Sequence, residues 1–251
     1  MIKLDKSKIV KSLGKKNKLV PYLDKAIAEF DEPWTFDYEP KKGDQGWHPS
    51  GHCTPSAGEL YVEAYELLHS EPVAKGPNPI NRHFQVGHFW HQYLQHIILN
   101  KLEFCKSEAI EKRGGYFWGN SSVKNPSPFE YATGSGDVAP LELPNWTGIL
   151  DIKTMKYADF RLAGLPPAFG DKYECQINIY MSFFDQEEAL ILAINKDSPH
   201  NFKEFTYKKN QDLIDTIYAK WEFVSECLLN ETVPTEKDDE RFVLPLTGPL
   251  A

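Results

Sequence analysis

The sequence predicts an α/β (α+β) domain with a central mixed β-sheet flanked by helices. Two short runs, GILDIKT at 148–154 and EALILAINK at 188–196, are apolar enough to be buried strands. Amphipathic helical stretches lie before, between and after the strand signals, in the order α, α, β, β, β, α, β, β, α. With 251 residues, of which 41% are apolar, the chain can form one large domain or two small ones with a sizeable core.

The elements follow in order. Residues 31–52 are rich in proline, glycine and aromatics and read as an irregular connection. Ser56 and Glu59 fit a capping box just after Pro55, so a helix is expected near Ser56, with Leu60, Ala64, Leu67 and Leu68 following. Pro72 through Pro79 break that pattern. A longer helix is expected from Asn78-Pro79, because Asn caps well and Pro suits the first helical position. It carries Phe84, Gly87, His91, Leu94 and Ile98 on one face. A third helical stretch is expected to end at Gly114-Gly115. Strand signals then come at YFWG, around FEYATGSGDVAPL, and at GILDIKT.

A helix over about 171–184 presents Tyr173, Gln176, Ile177, Tyr180 and Phe184 as one stripe. EALILAINK is a buried strand, FKEFTY a shorter one, and Asn210 caps a last amphipathic helix to about Leu229. The organisation is therefore a basic arm and irregular connection over 1–47, one domain over 48–230, and a polar, extended tail over 231–251.

Bulk properties narrow the function. No apolar run is long enough to span a bilayer, and the charged N-terminus lacks a signal-peptide core, so a cytoplasmic protein is expected. The net charge of −8 argues against indiscriminate polyanion binding. Residues 1–30 nevertheless hold eight lysines against Asp5, Asp24 and Glu29. Such an arm reads as a solvated terminus or as a nucleic-acid contact. Cys53, Cys105, Cys175 and Cys227 are scattered without a CxxC pair, which points to buried, reduced thiols rather than a sequence-local metal cluster.

GILDIKT carries the chemistry. In a strand, Asp151 and Lys153 share one face while Ile152 points to the other. An acid and a base on one face of a buried strand are costly unless something uses them. Asp137 lies within TGSGDVAPL, where glycines leave room beside the carboxylate. His91 sits on the long helix, with His88 as the alternative should that helix be rotated. Gln176 and Tyr180 are one helical turn apart and share a face. Two carboxylates with an imidazole suit Mg²⁺ or Mn²⁺. Such an ion activates water and neutralises charge on a phosphodiester, and Lys153 can position the water or stabilise the transition state.

These residues resemble the PD-(D/E)XK nuclease superfamily, and within it the RecB-like branch, over roughly residues 48–225. Gly87 and His91 match GxxxH, Gly134 and Asp137 match GxxD, Asp151 to Thr154 match (D/E)xK with its following residue, and Gln176 and Tyr180 match QxxxY. HPSGHC looks like the family's N-terminal lead-in segment, with Ser50 and Cys53 in recognisable places. The resemblance implies a restriction-endonuclease-like core. It implies that His91, Asp137, Asp151 and the Ile152 carbonyl bind the metal, that Lys153 is catalytic with Asp151 and Asp137, and that Gln176 and Tyr180 organise the site and contact DNA. Ser50 and Thr154 become DNA contacts on the same basis. Relatives with an iron–sulfur cluster pair an early Cys with three closely spaced late ones. Here Cys53 alone fits, so no cluster is expected.

Lys156, Arg161 and Lys196 follow the strands near the site and are candidate phosphate contacts. Each also reads as an ordinary solvated charge. Tyr116, Phe117, Trp90 and Trp118 could stack on bases or simply pack in the core. The resemblance implies a stand-alone DNA exonuclease acting on single-stranded or duplex ends in replication or recombination, with proteins of those processes as partners. If phage-encoded, it would act in the host cytoplasm. A structure-specific endonuclease, an RNA-directed nuclease and a catalytically silent nucleic-acid-binding member are the alternatives.

Overall fold

Five segments pair side by side in chain order: β1 (Ile110–Phe117), β2 (Tyr131–Leu143), β3 (Trp146–Met155), β4 (Glu188–Asn195) and β5 (Phe202–Lys208). β3 and β4 are parallel and the other neighbours antiparallel, so the sheet is mixed, as expected. The computed structural model describes residues 17–30, 46–69, 81–102, 104–118, 129–162, 167–198 and 201–250, with the backbone alone at 81–85 and 167–169. The expected helix start at Asn78-Pro79, the break at Pro72–Pro79 and most of the 31–52 connection lie outside the described residues.

The helices are α1 (Val20–Ala28), α2 (Pro49–His52), α3 (Ala57–His69), α4 (Asn81–Ile97), α5 (Tyr157–Phe160), α6 (Pro167–Phe183), α7 (Gln211–Leu229) and α8 (Glu236–Asp239). Parallel strands need a long crossover, and α5 and α6 supply it between β3 and β4. None of the described helices is long and apolar enough to cross a membrane. The capping box forms as read: Ser56 N donates to Glu59 Oε2 at 2.9 Å, and Glu59 N donates to Ser56 Oγ at 3.2 Å. Asn210 Oδ1 accepts Leu213 N at 3.1 Å and starts α7.

Strand alternation splits the core. Leu150, Ile152, Leu190, Leu192 and Ile194 face α1, the Leu94–Ile97 end of α4 and Ile98 just beyond it. Ile149, Ala189, Ile191, Ala193, Phe205 and Tyr207 face the other way, onto Ile177, Tyr180 and Met181 of α6. A third cluster joins Trp221, Ile214 and Ile217 of α7 to Trp47, Cys53, Ala57 and Leu60 around α2 and α3. Burying one such Leu, Ile or Trp side chain is worth about 1.5–3 kcal/mol, so both faces of the sheet are firmly clamped. Cys53, Cys175 and Cys227 are buried and Cys105 is partly so; burial raises the Cys105 thiol to about 11.

Three features differ from the sequence reading. The stretch before Gly114-Gly115 is the strand β1, not the end of a helix. Its glycines sit inside the strand because a Cβ at Gly114 would stand 2.8 Å from Phe183 Cβ, and one at Gly115 would stand 2.7 Å from Ala132 O. Part of the lysine-rich N-terminal segment forms α1, which buries Tyr22, Leu23 and Ala26. Its first amides, of Lys18, Leu19 and Val20, all donate to the Glu204 carboxylate of β5. The C-terminal segment turns through α8 before it runs irregularly over 243–250, with Leu246 N donating to Leu244 O at 3.0 Å, and docks, with Leu250 N donating to Thr206 O at 2.7 Å.

Candidate active site

The ladder between β2 and β3 ends at the Val138–Leu150 pair. One step on, Ile152 N–H meets a side chain instead of a strand: Asp137 Oδ2 accepts it at 2.6 Å. Asp137 Oδ1 stands 3.2 Å from His91 Nδ1 of α4. On β3, Lys153 Nζ lies 2.8 Å from Asp151 Oδ2, and Lys153 also lies over the Tyr173 ring at 5.2 Å. Asp137 and Asp151 are 7% and 3% exposed, so both carboxylates work out of bulk water. β2, β3, α4 and α6 thus bring His91, Asp137, Asp151, Lys153 and Gln176 together, with Tyr180 behind Gln176.

The electrostatics follow from this packing. Burial works against the imidazolium of His91, but the charge and hydrogen bond of Asp137 outweigh it and raise its pKa. Burial would push Asp137 up, yet His91, Lys153 and the Ile152 amide together hold it below its ordinary value. Asp151 goes the other way: burial dominates and its pKa is raised, the repulsion from Asp137 adding to burial and Lys153 opposing it. Burial disfavours the Lys153 ammonium, but Asp151 and Asp137 prevail and hold its pKa above the usual lysine value. The two carboxylates thus favour the ammonium form of Lys153.

The glycines of the sequence reading have a common explanation. Gly114 and Gly134 are directly paired across β1 and β2, and Gly136 lies two residues along, so all three share one face. The aromatic end of α6 lies on that strip. A Cβ at Gly134 would stand 2.7 Å from Tyr180 Cε1, and Cβ atoms at Gly114 and Gly136 would stand 2.7 and 3.0 Å from Phe184. With its ring seated there, Tyr180 accepts Gln176 Nε2 at 3.1 Å through its hydroxyl. Gly87 is less tight, its Cβ position being 3.4 Å from Thr154 Oγ1.

A cleft of about 320 Å³ opens over these groups, near the low end of small-ligand pockets. Ser50, Gly87, His91, Ile152, Lys153, Thr154 and Gln176 line it, as do His88, Lys172 and Tyr173. Lys156, Arg161 and Lys196 are not among its lining residues. Tyr116 stacks on Tyr218 and Phe117 on Tyr131, away from the cleft.

Two residues absent from the sequence reading belong here. Glu111 lies opposite Asp137, between the Ile110–Val138 and Lys112–Gly136 pairs. His91, Glu111 and Asp137 bring ligand atoms within 4.8 Å of one another. Gln95 Nε2 donates both to Glu111 Oε1 at 3.1 Å and to Asp137 O at 3.0 Å. Gln95 was within reach of the sequence, being one turn beyond His91 on the same helix face. Glu111 was not, because its place depends on strand register. The donor set of carboxylates with one imidazole fits a hard divalent cation.

No protein-family model matches the chain, and no curated protein matches it. Among solved structures the chain is similar to SSO0001 (TM-score 0.46, 15% identity, 85% of this chain and 84% of that one). It is similar to the alkaline exonuclease LHK-Exo of Laribacter hongkongensis (TM-score 0.44, 12% identity, 74% of this chain and 89% of that one). A phage-related exonuclease of Haemophilus somnus is also similar (TM-score 0.44, 16% identity, 69% of this chain and 82% of that one).

Proposed function

We propose that the protein is a metal-dependent DNA exonuclease that hydrolyses phosphodiester bonds at DNA ends, in replication or recombination and in the cytoplasm. One observation carries this reading: His91, Lys153 and Gln176 line one cleft, and the buried carboxylates of Asp137 and Asp151 hold His91, the Ile152 amide and Lys153 at its wall, with Tyr180 seated behind Gln176. A merely structural ion-pair network has no need of a cleft at its centre.

Asp137, Asp151, His91 and the Ile152 carbonyl would hold Mg²⁺ or Mn²⁺, with Glu111 in reach. The ion would activate water and neutralise the phosphodiester. The protein's own groups do the rest. Asp137 is fixed from both sides, by the His91 ring and by the Ile152 amide, so it presents a charge in one orientation. Lys153, kept protonated by Asp151 and Asp137, puts a positive charge where a pentavalent phosphorus gathers negative charge. Gln176, hydrogen-bonded to the Tyr180 hydroxyl, forms part of the cleft wall and aligns the strand. Ser50 and Thr154 line the same cleft and supply hydroxyls to the backbone phosphates.

Digestion of end-labelled linear DNA, single- and double-stranded, with Mg²⁺ or Mn²⁺ and with a chelator, tests the reading. Mononucleotide release that needs the metal, with a closed circular strand left intact, is the expected result. Cutting of the circle would make the enzyme an endonuclease, and turnover of RNA alone would change its substrate. DNA binding without any turnover would overturn catalysis.

A further inference from the structure

Two lysines line the cleft, and they differ in one respect. Lys153 is held by Asp151 at 2.8 Å. Lys172, on α6, pairs with none of the described carboxylates and has no hydrogen-bond partner among the described residues. It is only partly exposed. Its charge reaches inward towards α2, where it disfavours the imidazolium of His52 and favours ionisation of the Cys53 thiol. It lies one helical turn before Gln176, so the two side chains share a face of α6. Lys172 thus brings to the cleft a cation that no described carboxylate neutralises. Around it the cleft lining offers the Ser50 and Thr154 hydroxyls and, among the described residues, no carboxylate.

Lys172 and Lys153 line the same cleft, so a strand held with its scissile phosphate at Lys153 could offer a neighbouring phosphate to Lys172. We propose that Lys172 binds the phosphate adjacent to the scissile one and sets the cleft's demand for a second charged phosphate. The inference rests on the nuclease reading. It adds a binding contact to the strand beside the scissile phosphate. As a single Lys–phosphate contact it is sequence-independent and sensitive to salt.

The test compares wild type, Lys172→Gln and Lys172→Arg on two linear DNAs: one unmodified, and one with an uncharged methylphosphonate at the linkage next to the cleaved bond. Binding is measured as well, by fluorescence anisotropy with Ca²⁺ over a range of salt. Lys172→Gln should raise KM for the unmodified DNA about 3- to 10-fold and change kcat little, and should reduce the salt slope of binding by about one. Arginine should restore both. On the methylphosphonate DNA, wild type and Lys172→Gln should perform alike, because one partner of the contact is already gone.

Equal KM and equal salt slope for wild type and Lys172→Gln would overturn the inference while leaving the nuclease reading in place. So would a KM penalty that is undiminished on the methylphosphonate DNA. If wild type binds DNA without cutting it, the nuclease reading fails, and the salt slope still decides whether Lys172 holds a phosphate. If wild type neither binds nor cuts, both fail.

Discussion

Tyr180 occupies the space that a side chain at Gly134 would fill, with the built Cβ only 2.7 Å from Tyr180 Cε1 and 3.3 Å from Pro49 Cδ. The glycine of β2 is thus the seat of an aromatic ring from α6. Gly134→Ala should displace the ring and with it the hydrogen bond to Gln176. The overpacking should cost about 1–3 kcal/mol. DNA digestion should fall at least about 10-fold, the loss expected from displacing positioning groups by a fraction of an ångström. Rates on end-labelled DNA and the thermal midpoint measure the two effects.

Asp137 accepts the Ile152 amide and faces His91, so its charge and its shape can be separated. Asp137→Asn keeps an acceptor for the amide and removes the charge. It should retain the fold and lose Mn²⁺ binding by calorimetry along with cleavage. Asp137→Ala also orphans a buried N–H and should lose a further 1–3 kcal/mol or so. Equal metal binding by Asp137→Asn and wild type would remove Asp137 from the ligand set.

Lys153 and Asp151 form a buried pair, and removing one partner strands the other. Lys153→Ala should abolish cleavage, and it leaves Asp151 charged without its main counterion. Single substitutions in buried pairs destabilise by about 3–5 kcal/mol. The double variant Asp151→Asn with Lys153→Met should be the more stable of the two in urea denaturation, and equally inactive.

Glu174, 3% exposed on α6, accepts Thr247 N at 2.6 Å and Gly248 N at 2.9 Å. A chain ending at Leu244 would leave this carboxylate buried without those amides. The truncation should cost about 1–3 kcal/mol, and Glu174→Gln should recover part of the loss in the short chain while destabilising the long one. Urea midpoints of the four proteins give the sign of each step.

His52 makes stability depend on pH. Burial lowers its pKa, Glu63 opposes that only in part, and the neutral ring accepts the His48 amide through Nδ1 at 2.8 Å. The folded pKa lies below the unfolded one, so the folded state binds fewer protons. The contribution is complete above the ordinary histidine value, near 6.5, and is lost as pH falls through the folded value. The thermal midpoint should drop below about pH 6.5 with a slope bounded by one proton, about 1.4 kcal/mol per pH unit. His52→Asn should flatten that part of the profile.

Much of the fold could be read from the sequence wherever local chemistry coincides with tertiary role. Ser56 with Glu59 and Asn210 with Leu213 N make the caps that their residue types announce. Alternation in GILDIKT put Asp151 and Lys153 on one face. β1 was misread because Ile110–Arg113 carries helix-tolerant residues on an edge strand. Gly114 answers to Phe183 and Phe184, more than sixty residues away, and Gly115 to the Ala132 carbonyl of β2, rather than to a local turn. α1 was hidden in a lysine-rich segment because its anchor is Glu204 of β5. Glu111 entered the site through its register opposite Asp137, which no local pattern encodes. Glu111 also has a φ of 49°, a left-handed backbone that costs a non-glycine residue about 1 kcal/mol or more.

The tie between Glu174 and the C-terminal segment has a consequence in time. The ribosome makes α6, with Lys172, Gln176 and Tyr180 on it, about seventy residues before it makes the amides that Glu174 requires. During synthesis β3 and α6 are already present while their outer clasp is not. The contacts that satisfy the buried Glu174 carboxylate can therefore form only at the end of synthesis, once residues 247 and 248 have been released and have docked.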